Sequence, residues 1–261
     1  RLYEAFGWEV PIYVHCPTIT NEQHQKLSKR SGHASFEDLI EQGFVSEAVV
    51  NFVALLGWSP EGDREIFTLK ELAEVFDYRR ISKSPAVFDM TKLRWMNGEY
   101  FKAMTDAAFA EAARPYAGEL PASVEAQWDA MARLLRTRVT RLSDVRAEIE
   151  FFVNLPPFDA SLYENKRNKV TPAAAAELLP ELIGILDALD GDHWENDLLY
   201  ALLEECIERE GWKKGTVMWV LRIAAAGQKV TPGGATEILA ILGKEESLRR
   251  LREAQRQLAE C

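Results

Sequence analysis

Apolar positions along this chain follow two different periods. The segment Val10-Pro11-Ile12-Tyr13-Val14-His15 is β-branched and aromatic, as buried strands are, and predicts a strand. Beyond Gly32 the spacing turns helical and stays so. Ser35-Phe36-Glu37-Asp38 has the form of a capping box, with Asp38 in place of the usual Glu. Ser46 is expected to cap the next helix, where Val49, Phe52, Val53 and Leu56 share a face and Gly57 ends the run. Thr68-Leu69-Lys70-Glu71 is a fuller capping box, followed by Leu72, Ala73 and Phe76 at helical spacing. A helix opened by Asp89 is expected to close at Asn97-Gly98, and another to run from Tyr100 to Ala113 and stop near Pro115.

The pattern then predicts helices over Val124–Arg136 and Asp144–Val153, the second halted by Asn154-Leu155-Pro156-Pro157. Thr171-Pro172 and Thr231-Pro232 each place a capping hydroxyl before a proline at the first helical position. Pro180 is expected to kink or split the run from Ala173 to Leu189. Further helices fit Glu195–Glu210, Thr216–Ala226, Glu237–Leu242 and Glu245–Ala259. The expected fold is mostly α: a small β-containing head followed by helical domains. Trp58, Trp95, Trp128, Trp212 and Trp219 are read as core rather than as stacking platforms.

Composition adds constraints. A chain of 261 residues with 47% hydrophobic and 28% charged content is long enough for two or three small packed domains. No apolar run approaches the roughly 18 residues that would cross a bilayer, so no membrane partner is expected. Cys16, Cys206 and Cys261 are far apart, which argues against a disulfide framework and for the cytoplasm. His15 beside Cys16 would point to opposite faces of a strand, and the four histidines show no ligand spacing, so no metal site is expected. The first residue is Arg1, and Leu2–Trp8 reads as the middle of a structured element, so the expectation is a piece cut from a longer chain. The net charge of −10 speaks against a general nucleic-acid binder. Phosphate, however, responds to local charge, because distant charges are screened beyond about 8–10 Å.

One string carries chemistry. Lys26-Leu27-Ser28-Lys29-Arg30 places two lysines three apart, followed by Arg30 and, two residues on, Gly32. Such a loop can wrap polyphosphate. When a carboxylate attacks the α-phosphate of ATP, pyrophosphate leaves with growing negative charge, and fixed cations aimed at it lower the barrier. Lysine suits the task as a compact, mobile point charge, and Gly32 lets the backbone turn.

The flanks make this specific. Gln25–Pro60 (QKLSKRSGHASFEDLIEQGFVSEAVVNFVALLGWSP) resembles the KMSKS region of bacterial glutamyl-tRNA synthetases. Phe67–Tyr100 and Trp219–Ala254 resemble later blocks of the same family, in the same order. The resemblance implies the C-terminal part of a class I synthetase. Its substrates would be ATP with Mg, L-glutamate and tRNA(Glu), and its members are commonly monomeric. It implies that Lys29 contacts ATP and that Lys26, Ser28 and Arg30 complete the loop. The family's H-I-G-H motif and glutamate-binding residues lie upstream; no H-I-G-H occurs here, so this piece is expected not to activate glutamate alone. The implied domains are 1–34, the end of the catalytic domain; 35–114, the stem-contact helices; and 115–160 and 161–261, two anticodon-binding subdomains.

Candidate RNA contacts follow. Arg133, Arg136, Arg138, Arg141 and Arg146 form the densest basic run, suited to phosphates, against salt bridges to Glu125, Asp129 and Asp144 as the plainer reading. Arg79, Arg80 and Lys83 make a second basic turn. The resemblance puts Arg222, Thr231 and Pro232 at the anticodon, where a planar guanidinium can bond or stack on splayed bases. Two other readings stand beside this one. The first is a stand-alone tRNA-binding or regulatory module derived from a synthetase; the second is a helical protein-interaction scaffold. Salt-dependent tRNA titration separates RNA contact from the scaffold.

Overall fold

The computed structural model describes residues 1–25, 27 and 35–260. The chain divides into two compact units, Arg1–Ala103 and Met104–Cys261.

The first unit opens with α1 (Leu2–Phe6), which ends on Gly7 in the left-handed region at φ 68°. The strand expected over Val10–His15 does not form. A strand needs a neighbour for its N–H and C=O groups; none flanks this segment among the described residues, and Ile12 and Tyr13 stand 86% and 71% exposed. The only sheet among the described residues is smaller: β1 (Ile19–Thr20) pairs in parallel with β2 (Ala86–Val87), Ile19 opposite Ala86. Between the strands lie α2 (Phe36–Glu41), α3 (Ser46–Leu55) and α4 (Leu69–Val75), and after them α5 (Met90–Ala103).

Both capping boxes form as read. The Ser35 hydroxyl accepts from the Asp38 N–H at 3.2 Å, and the Ser35 N–H donates to Asp38 at 2.7 Å. Glu71 closes the second box on Thr68. Ser46, by contrast, is the first helical residue rather than the cap, which is Val45. The Val45 N–H is satisfied from another helix: Asn97 Oδ1 accepts it at 2.9 Å. That explains why Asn97-Gly98 does not close a helix as expected. Both residues are buried in the middle of α5, and the Asn97 side chain caps α3 from outside. Asn51 makes a comparable link, accepting the Phe67 N–H and the Tyr100 hydroxyl, each at 2.8 Å. Leu39, Phe44, Val49, Phe52, Leu93 and Met96 form the core, and each such side chain contributes about 1.5–3 kcal/mol by burial. Val53, expected on that face, is 48% exposed. Trp58 and Trp128 pack inside and donate to Asp77 O and Ala110 O, whereas Trp95 is 44% exposed.

The second unit contains α6 (Asp106–Ala117), α7 (Ala122–Glu125), α8 (Trp128–Leu135), α9 (Val145–Val153), α10 (Pro172–Ala188), α11 (Asn196–Glu210), α12 (Lys214–Ala226), α13 (Ala235–Leu242) and α14 (Lys244–Ala259). Helix α6 runs through Pro115, and α10 runs through Pro180 without splitting. A proline removes one internal hydrogen bond. Burial of Ala110, Ala113 and Ala117 in α6, and of Leu179, Leu182 and Leu186 in α10, outweighs that loss. The run over Val124–Arg136 is two helices, α7 and α8, broken at Ala126-Gln127. Helix α10 packs on α12 and α14, and α13 on α11, α12 and α14, which gives a bundle around Leu186, Val220, Leu239 and Leu251. The mostly helical fold with one small sheet is the one expected. No helix among the described residues is long and apolar enough to cross a membrane.

Candidate nucleic-acid interface

Lys26, Ser28, Lys29, Arg30 and Gly32, the phosphate-loop candidates, lie outside the described residues. Arg79, Arg80 and Lys83 fall in the first unit and the other candidates in the second. Arg138, Thr231 and Pro232 meet on the chain between α12 and α13.

Thr171-Pro172 behaves as read: the Thr171 hydroxyl accepts from Ala174 N–H and Pro172 is the first helical residue. Thr231-Pro232 does not. Helix α13 starts at Ala235 and its cap is Gly234. The Gly234 N–H donates to Glu237 Oε2 at 2.6 Å, so that amide is not open to a ligand. Thr231 is 3% exposed and its hydroxyl donates to Gly233 O at 2.7 Å; Pro232 is buried as well. The two residues therefore shape a tight loop. The reason is packing: a Cβ on Gly233 would stand 2.7 Å from Leu134 Cδ1 and 3.2 Å from Glu237 Cβ. At Gly233 the chain passes α8 so closely that a side chain would have to displace Leu134 and crowd Glu237, and the helix begins after it.

One arginine reaches this loop and a second feels its charges. Arg138, exposed in the turn after α8, donates through Nη2 to Thr231 O at 3.1 Å. Arg222, half-buried on α12, has a buried Nε that no protein atom accepts. Burial, and secondarily the Arg138 charge, pull the Arg222 guanidinium below its usual value, against the opposing pull of Glu237. Two cations and one carboxylate thus face one another beside the loop, with donor capacity left on Arg222. Such an arrangement can bind an acceptor-rich planar group or a phosphate.

The rest of the basic run is committed elsewhere. Arg133 and Arg136 share the carboxylate of Asp106, each at 3.1 Å, and Arg136 also donates to Met104 O at 3.0 Å. Arg141 pairs with Asp144 at 2.5 Å, as the plainer reading had it, and Arg146 pairs with Glu150 while donating to Ala117 O and Glu119 O. Glu125 instead pairs with Arg114. Arg133 remains 65% exposed and lines a groove of about 320 Å³ with Leu134, Trp194 and Glu237. In the first unit Arg79 pairs with Asp77 and Arg80 with Glu61. Asp106 and Glu237 were not singled out by sequence. Glu237 carried a signal, since a Glu three residues after Gly234 is the second half of a capping box; Asp106 carried none. Among the described residues no group of His, Cys, Asp or Glu is placed to hold a metal ion.

Two family models match the chain. A family model described as the anticodon binding domain matches residues 108–255, and one described as the catalytic domain of class I tRNA synthetases (E and Q) matches residues 1–95. The chain is 49% identical over 256 residues to a glutamate–tRNA ligase of Lachnoclostridium phytofermentans, covering 97% of this chain and 51% of that protein. It is 46% identical over 254 residues to a glutamate–tRNA ligase of Clostridium botulinum, covering 97% of this chain and 52% of that one. A solved glutamate tRNA ligase from Elizabethkingia meningosepticum, in complex with its amino acid, superposes with a TM-score of 0.81 at 27% identity over 98% of this chain and 54% of its own. The chain spans about half the length of the curated relatives it matches. It belongs to the anticodon-binding-domain family, and its relatives named above are glutamate–tRNA ligases.

Proposed function

We propose that this chain is the tRNA-holding, C-terminal part of a glutamate–tRNA ligase, an enzyme that activates L-glutamate with ATP and Mg and transfers it to tRNA(Glu) in the cytoplasm, as a monomer. In this reading residues 1–34 end the catalytic domain, and Lys26, Ser28, Lys29 and Arg30 neutralise the departing pyrophosphate. Residues 35–114 hold the inner bend of the tRNA, and 115–160 and 161–261 hold the anticodon. Arg222 meets the bases. Arg138 anchors the Thr231-Pro232 loop and adds charge there, and Arg133 and Arg136 add charge toward the backbone.

The observation that carries this reading is the half-buried Arg222 with an unclaimed Nε, within electrostatic reach of Arg138, which ties down the Thr231 loop, and of Glu237, which holds the Gly234 amide. A guanidinium desolvated without a full set of acceptors is costly unless a ligand completes it. Titration with tRNA(Glu) and with anticodon variants tests it. Arg222→Ala should cost about 1–3 kcal/mol of discrimination between anticodons. Equal loss on every RNA would instead make Arg222 a structural or phosphate residue. Because the chain contains no H-I-G-H, ATP–pyrophosphate exchange by the chain alone should stay at background; exchange above it would overturn that part.

The alternative, a stand-alone module without ligase activity, leaves the KLSKR string without a task. The scaffold reading leaves the unclaimed Arg222 donor unexplained.

A further inference from the structure

We propose a second RNA contact, a phosphate-backbone clamp formed by the hairpin Asn165–Val170 against the first turn of α12. It rests on the tRNA-binding reading above and extends it to a surface that reading does not use.

The hairpin is built locally. Asn165 and Val170 exchange both backbone hydrogen bonds at 3.0 Å, and Asn165 Oδ1 accepts the Asn168 N–H at 3.0 Å. Its tip presents Lys166, Arg167 and Lys169, all exposed. Lys169 holds φ 54°, a left-handed conformation in which Asn or Gly costs less, so the turn itself does not call for a lysine there.

The hairpin docks on α12 through Asn168. Thr216 Oγ1 donates to Asn168 O at 2.8 Å, and a Cβ on Gly215 would come within 2.6 Å of Asn168 Oδ1. Glycine at 215 therefore permits the close approach. The contact brings a fourth exposed cation, Lys213, to the same place. Lys213 is the cap residue of α12, with no side-chain capping bond and no acidic residue in the first turn. The adjacent Lys214 is paired with Glu204. No ion pair among the described residues engages Lys166, Arg167, Lys169 or Lys213.

This arrangement is unfavourable in the free chain. Cations crowd one another and sit at the positive end of a helix dipole. It occurs in a chain of net charge −10 whose other arginines are largely paired. A polyanion reverses the sign of every one of these terms, and the uncapped N–H groups of α12 point the same way.

Geometry favours an RNA strand over an isolated anion. Gly215, Trp219 and Arg222 are spaced i, i+4, i+7 and share one stripe of α12. The hairpin segment lies along this stripe, since Trp219 Nε1 also donates to Tyr163 O at 3.1 Å. The patch and Arg222 are therefore separated by about 10 Å along the axis. One backbone can run from the clamp to the bases that Arg222 reads.

The test uses the whole chain with Lys166→Ala, Arg167→Ala and Lys169→Ala combined, and with Arg167→Ala alone. Affinity for tRNA is measured from about 50 to about 200 mM salt. The triple variant should bind on the order of tenfold more weakly. Its slope of log affinity against log salt should be shallower by about 2, and that of the single variant by about 0.7. The loss should be equal for all anticodons, and the exchange Lys166→Arg, Arg167→Lys, Lys169→Arg should restore binding. An unchanged salt slope while Arg222-dependent discrimination persists overturns the clamp alone. So does poly-L-glutamate competing as well as tRNA for the unaltered chain, which would assign the patch to an acidic protein. No salt-dependent tRNA binding by the unaltered chain overturns the function proposed above, and the clamp with it.

Discussion

Arg138 donates to the carbonyl oxygen of Thr231 at 3.1 Å, a tie between the turn after α8 and the loop before α13 that spans 93 residues of sequence. Arg138 is exposed, so water screens the bond and its share of stability is under about 1 kcal/mol. Its role is placement of the loop. Arg138→Ala should leave the urea midpoint nearly unchanged while anticodon preference drops several-fold. A preference equal to that of the unaltered chain would remove Arg138 from the site.

Gly233 makes a sharper demand. Alanine there would push a methyl against Leu134 Cδ1, and against Glu237, whose carboxylate holds the Gly234 N–H. Leu134 can yield by rotating; Glu237 yields only by loosening the start of α13. We expect Gly233→Ala to cost about 1–2 kcal/mol, and Gly233→Val more, read as shifts in urea midpoint. A neutral Gly233→Ala would mean that the loop has room the geometry does not show.

Most of the helices were legible because they are marked locally. Ser35/Asp38, Thr68/Glu71 and Thr171-Pro172 are caps whose partners lie within three residues, and each forms as the spacing predicts. Two of the misreadings come from partners elsewhere in the fold. Asn97-Gly98 looks like a stop signal but serves the start of α3, 52 residues back. Thr231-Pro232 repeats the Thr171-Pro172 signature, yet Leu134 and Glu237 move the helix start to Ala235. The basic run was visible in sequence, but not that Asp106 would take both Arg133 and Arg136. At the site, Arg222 was legible only through family resemblance. Its electrostatic setting, between Arg138 and Glu237, belongs to the fold.

Glu71 gives a pH dependence with a definite sign. Its carboxyl is held down at about 2, from a usual value near 4.5, first by the Arg64 side chain and then by the Thr68 N–H and hydroxyl. A depressed folded-state value contributes stability that is present above the unfolded value and lost as pH falls from about 4.5 toward about 2. Gln can still close the box with Thr68 but gives up the charge held by Arg64, so Glu71→Gln should be less stable at about pH 7 and approach the original protein at low pH. It should flatten the acid limb of the stability curve for the first unit. Parallel curves for the two proteins would rule out the assignment.

Arg250 is the strongest stability prediction, and the one furthest from its sequence appearance. In the string Ser247-Leu248-Arg249-Arg250-Leu251 it resembles any charge on an amphipathic helix, yet it is 2% exposed. Its Nη1 donates to Phe151 O at 2.7 Å and Ala225 O at 2.9 Å, its Nη2 to Phe152 O at 3.1 Å, and its Nε to Glu246 at 2.6 Å. Those carbonyls belong to the last turns of α9 and α12, whose acceptors have no intrahelical donor and carry the negative end of the dipole. One guanidinium therefore caps two helices and fixes where α12 ends, just before the loop that the proposed site uses. Arg250→Met keeps the volume but strands three buried carbonyls and the Glu246 bond, and should cost about 3–5 kcal/mol. Arg250→Lys keeps the charge but not the planar fork, so it should recover only part of that loss. Urea denaturation of the three proteins ranks them. A lysine variant as stable as the original would show that the charge alone, and not the fork, holds the two helix ends.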